Sequence, residues 1–228
     1  MKYTLILFLF LSGCMTNTKI DLQQDQTVTK HFNKNEIRQL HHILTFFDNE
    51  VRILSDTTGS LENNYHAFFN KVSKAAWSGN PYGPVLKIPM QKLNNLFTSL
   101  SDTVKNELWV TSRYISPITK DSVSDFDIRS GGKYEAFLKS SSGENKALNK
   151  YYKTFEQAHG ISPALIVNVI LYAKNLNLKR ESQRLILAVH YIAIRETGEL
   201  RKKSNKPVKK RTPQKSDTGN NMKSAVHT

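Results

Sequence analysis

Residues 164–173 read ALIVNVILYA and residues 185–194 read LILAVHYIAI. Whether these two runs are helices or strands decides the fold. Both are apolar on nearly every side and rich in β-branched residues, and periodicity alone does not separate a buried strand from a buried helix. Local signals do. Ser162-Pro163 places a capping hydroxyl before a proline at the first helical position. The second run lies within Lys179–Glu196, a continuous stretch longer than a strand. Both runs therefore read as buried helices, and each is far short of the ~20 residues needed to span a bilayer. Asn168 and His190 inside them read as core polar groups, each with a hydrogen-bond partner.

Working outward, Ile37, Leu40, Leu44, Phe47, Val51 and Leu54 step by three and four across 34–55. Asp56-Thr57-Thr58-Gly59 breaks that helix. Leu61, Tyr65, Phe68, Phe69, Val72 and Ala76 repeat the pattern over 61–78, with Ser60 as N-cap. A turn cluster, Gly79 to Pro84, precedes a third predicted helix over 90–115 carrying Leu93, Phe97, Leu100, Val104, Leu108 and Ile115. Residues 116–133 show no stripe and read as a long connection, a rare feature inside a compact domain. Helical spacing resumes at Tyr134, Phe137 and Leu138, then again at Leu148, Tyr151, Tyr152 and Phe155, until Gly160. The expected fold is all-α, a bundle of six or seven helices over 34–198.

Nearer the N-terminus, Lys2 precedes the apolar run Leu5–Leu11, followed by Ser12, Gly13 and Cys14. This is the order of an export signal. Leu11-Ser12-Gly13-Cys14 resembles the lipobox of bacterial lipoproteins. The resemblance implies cleavage after residue 13, a diacylglyceryl group on the sulfur of Cys14 and acylation of its new amino group. It covers the export segment 1–13 and Cys14 alone. Each buried methylene contributes about 0.8 kcal/mol, so two or three chains make a stable anchor. Met15 after the cysteine resembles the outer-membrane-sorted class, so a lipid-anchored position in the bacterial cell envelope, preferably the outer membrane, is expected. Residues 14–33 are polar and without period, the composition of a flexible tether.

The chain has 228 residues, with 33 Lys+Arg against 19 Asp+Glu and a formal charge of +14. A single cysteine excludes an intrachain disulfide scaffold and cysteine-rich zinc clusters. Half of the excess charge is terminal. Residues 199–228 hold Arg201, Lys202, Lys203, Lys206, Lys209, Lys210, Arg211, Lys215 and Lys223 against Glu199 and Asp217. With so few apolar residues this tail is expected to be disordered. Its first eight basic residues, Arg201 to Lys215, are the candidate polyanion-binding set. The tail lacks aromatic residues for base stacking, so specific nucleic-acid recognition is not expected.

Catalytic and metal signatures are weak. Adjacent His41 and His42 diverge by about 100° on a helix and do not converge on one metal. Asp121, Asp125 and Asp127 lack the alternating ligands and central glycine of a calcium loop. Ser130-Gly131-Gly132-Lys133 has Ser-x-x-Lys spacing without its partner motifs. No catalytic residue, metal site or cofactor is assigned. The expected role is non-catalytic: interaction or structural work at the envelope, with the membrane held through Cys14 and an anionic polymer or a protein as partner. The alternative is an envelope enzyme with its site in the helical domain or the 116–133 segment.

Overall fold

The computed structural model describes residues 21–79, 83–115 and 120–204. Residues 1–13, expected as an export signal, Cys14 and residues 205–228 lie outside the described residues. The described chain is predominantly helical, with one two-stranded sheet.

The run 185–194 lies within a long helix, α9 (Glu181–Ser204). Every residue from Glu181 to Arg195 is buried, so this segment is surrounded on all sides. That explains its lack of an amphipathic stripe: a helix apolar all round is a core helix. The run 164–173 forms α8 (Pro163–Tyr172), started by the Ser162 hydroxyl accepting from the amide of Leu165.

Helix α2 (Lys34–Ser55) packs its stripe against α9. A reciprocal cap starts it: the Asn33 side chain accepts from the amides of Asn35 and Glu36, and Glu36 accepts from the amide of Asn33. Asp56 ends it in the left-handed region, at φ 55°. Helix α3 (Leu61–Trp77) runs back along α2, capped by Ser60. Phe47 of α2 stacks on Tyr191 of α9 with ring centroids 5.8 Å apart, and Phe68 of α3 meets the same ring edge-on at 5.1 Å.

The expected helix over 90–115 is three elements: α4 (Met90–Ser99), α5 (Asp102–Leu108) and strand β1 (Trp109–Ile115). Leu100 turns extended, and the Ser101 hydroxyl caps a new helix by accepting from the amide of Val104. Leu93, Leu100, Val104 and Leu108 are buried as the stripe requires, but Ile115 is 63% exposed on the strand. The expected long connection is likewise corrected. Its residues 122–128 form β2 (Ser122–Ile128), antiparallel to β1 in the register Trp109↔Ile128 to Ile115↔Ser122. The fold is therefore not purely α. The hairpin lies on α9. The Trp109 indole donates to the Val189 carbonyl at 3.1 Å, while Thr197 accepts from the Phe126 amide and donates to its carbonyl.

Two boundaries also move. Residues 21–33, expected as tether, belong to the domain. Asp25 caps the short helix α1 (Gln26–Thr29), and Leu22, Val28 and Phe32 are buried in the core. At the other end, residues 199–204 continue α9 instead of starting a disordered tail. At Gly198 an added Cβ would press on the end of the Leu86 side chain, in the turn before α4, and that side chain would have to move aside. Between β2 and α8 lie α6 (Lys133–Ser142) and α7 (Lys146–Ala158), an antiparallel pair.

Candidate functional site

A buried set of charges gathers where α9 begins. Asp25 accepts from Arg180 at 2.8 Å, from Ser182 at 2.6 Å and from Thr27. Burial pushes its carboxyl upward, but these donors outweigh that and hold it below the usual carboxylate range. Arg180 also meets Glu144 at 3.0 Å, and Glu144 accepts from Gln183 at the same distance. The Leu22 amide donates to Glu181 at 3.2 Å. One turn on, Arg184 meets Asp48 of α2 at 3.2 Å and the Leu178 carbonyl at 2.6 Å, and the Tyr65 hydroxyl donates to Asp48 at 2.7 Å. These charges meet one another inside the fold, and the network ties the segment 21–28 to α2, α3, α9 and the turn between α6 and α7.

The residues singled out in the sequence fall in different places. Cys14 and Lys206, Lys209, Lys210, Arg211 and Lys215 lie outside the described residues. Arg201, Lys202 and Lys203 are in the last helical turns of α9. His41 is exposed, 3.9 Å from Glu181, whereas His42 meets Ser99 at 3.2 Å, so the adjacent rings serve different neighbours. His190 is fully buried and its Nδ1 faces the Tyr151 hydroxyl at 3.3 Å. Burial pushes the His190 pKa down to about 3. Asn168 donates to the Thr154 hydroxyl at 2.8 Å. Asp125 accepts from the Tyr114 hydroxyl across the hairpin at 3.0 Å. Asp127 accepts from the amide of Ile161 at 2.7 Å, and burial raises its pKa. Gly160 sits so close to that carboxylate that a Cβ would strike it. Lys133 of the Ser-x-x-Lys stretch is the first residue of α6, paired with Glu36 at 2.6 Å. Among the described residues no group of three His, Cys, Asp or Glu side chains could hold a metal ion, and no helix is long and apolar enough to cross a membrane.

The outer face of α7 is charged in a different way. Leu148, Tyr151, Tyr152 and Phe155 bury one side of the helix, which turns Lys146, Lys150, Lys153 and Gln157 outward. Steps of three and four at 1.5 Å per residue set neighbouring side chains about 5–6 Å apart along one line. The row borders a hollow of about 700 Å³ that Ser142, Asn145, Asn149 and Thr154 also line. Lys150 lies 5.2 Å from the Tyr172 ring centroid, which helps to hold its stem. None of the three lysines meets a carboxylate among the described residues. The nearby acid Glu156 takes the Tyr152 hydroxyl instead, at 2.9 Å. Lys146 opens the helix, where the macrodipole disfavours a cation, and no acid occupies the first turn. Three ammonium groups in line, with amides and hydroxyls between them, suit a chain of phosphates or carboxylates.

This face was legible only as a helix surface. The one available signal was lysine at 146, 150 and 153 with a single acid three or four positions on, Glu156 after Lys153, and solvated faces often look the same. No protein-family model matches the chain, and no curated protein or solved structure is significantly similar to it.

Proposed function

We propose that this chain is a lipid-anchored protein of the bacterial cell envelope that acts without catalysis, binding an anionic envelope polymer through the α7 face. The observation that carries the binding role is the exposed row Lys146, Lys150 and Lys153, which meets no carboxylate among the described residues, beside a polar hollow. The lipid anchor rests on Leu11-Ser12-Gly13-Cys14. An outer-membrane position is supported by Met15. Basic residues from Lys206 to Lys215, in a tail of disordered composition, add a second and less structured contact with the same polymer.

The two halves of this reading are tested separately. Metabolic labelling with a palmitate analogue should mark the wild-type chain and fail on Cys14→Ala; label retained in that variant defeats the anchor. Retention on phosphate- or uronate-rich envelope polymer should fall as salt rises, and should fall at fixed salt when Lys146, Lys150 and Lys153 are all changed to Gln. Retention equal to wild type in that variant removes the α7 face from the function.

A further inference from the structure

The segment that follows the anchor is built into the domain, and this brings a second basic surface close to the membrane. Seven Cα-to-Cα steps separate Cys14 from Asp21, the first described residue. Fully extended, they reach no more than about 25 Å. Two residues further, Gln23 lines a hollow of about 710 Å³ whose other walls are Thr29, Phe32, Asn33, Lys34, Ile37 and Arg38. Its floor is apolar, from Phe32 and Ile37, and its rim carries Lys34 and Arg38 with Lys30 exposed just beside them. Among the described residues, Arg38 donates only to the neutral Asn35 amide, at 3.1 Å. The acids of this stretch are turned away from the rim. Asp25 is buried against Arg180 and Ser182, and Glu36 is buried against Lys133. Asp21, ahead of them, accepts from the amides of Gln23 and Gln24. Lys34 also opens α2, a place where a cation opposes the helix dipole, so helix formation gives no reason for it.

The geometry points to this hollow as a seat for an anionic phospholipid of the anchoring leaflet, with the phosphate at Lys34 and Arg38 and the glycerol and upper acyl carbons over Phe32 and Ile37. The inference rests on the lipid-anchor reading for its placement. The apolar floor separates it from the polar α7 hollow, which suits a hydrophilic polymer. The seated lipid would hold the domain in one orientation on the membrane, with the start of α9 toward the bilayer and Ser204 about 36 Å along the helix from it.

The test uses the full chain carrying Cys14→Ala, so that acyl chains play no part and the apolar segment 5–11 is common to every sample. Three proteins are floated at low salt with phosphatidylcholine vesicles, with and without phosphatidylglycerol. They are this parent, the parent with Lys34→Gln and Arg38→Gln, and the parent with Lys74→Gln and Lys87→Gln as a charge-matched control. The phosphatidylglycerol-dependent affinity should fall about tenfold to thirtyfold in the Lys34/Arg38 pair and less than about twofold in the control. Equal losses in the two pairs, or no loss in the first, overturn the seat. So does a loss seen only on soluble anionic polymer. Failure of the anchor itself is read independently, from acylation of Cys14 in the otherwise unaltered protein.

Discussion

The start of α9 and the outer face of α7 are both strongly charged, yet their charges serve opposite ends. At α9 the charges are buried or partly buried and face partners: Asp25 with Arg180 and Ser182, Asp48 with Arg184 and Tyr65. At α7 the lysines stay in water with no carboxylate among the described residues. Burying an ion without its partner costs several kcal/mol, so the first set has to be complete for the chain to fold. An exposed ion costs little and contributes little to stability, which leaves the second set available to a ligand. Charge count alone does not separate the two; burial does.

The largest effect should come from breaking the buried set. Arg184→Met leaves Asp48 buried without its cation and should destabilise the domain by about 3–5 kcal/mol in urea unfolding. A loss under about 1 kcal/mol would erase the contrast. Asp25→Ala removes both the acceptor for Arg180 and Ser182 and the cap of α1, at a cost of about 2–3 kcal/mol. Its signature is local: amides of residues 22–32 should exchange faster with solvent while those of α2 and α9 keep their order. Because the Asp25 pKa is held below its ordinary value, its stabilisation is present above the unfolded pKa and is lost as pH falls through the folded one.

His190 gives an intermediate effect with a defined pH window. Its pKa falls from 6.5 to about 3 on folding, so below pH 6.5 the unfolded chain takes up a proton that the folded one refuses. Stability is therefore lost toward acid, with a slope from this group of up to about 1.4 kcal/mol per pH unit. His190→Phe should flatten that limb of the stability curve, and an unchanged slope would show that the ring is solvated.

How much of this was legible depended on how local the cause was. The stripes of α2 and α3, the Ser162-Pro163 start and the length of the run around His190 are written in adjacent residues, and the helices appear where those signals lie. The placement of 21–33 depends on Arg180 and Ser182, more than 150 residues away, so its polar composition read as tether. The hairpin misled for another reason. Val104 and Leu108 continue a helical spacing that stops at Trp109, and the β-branched and aromatic content of 109–115 was the overlooked cue. In β2 only Phe126 and Ile128 alternate, too short a run to stand out. The lysines of α7 were visible, but that they meet no carboxylate among the described residues is a property of the folded surface.

The smallest effect on folding should accompany the largest on binding, and one paired measurement tests that directly. Lys146→Gln, Lys150→Gln and Lys153→Gln, combined in one chain, are to be compared with wild type for thermal unfolding and for affinity to an anionic envelope polymer at low salt. The account predicts stability within about 0.5 kcal/mol of wild type. It predicts that affinity falls at least tenfold, with a shallower dependence on salt. Unchanged affinity, or a loss of affinity that only tracks a loss of folding, would contradict it.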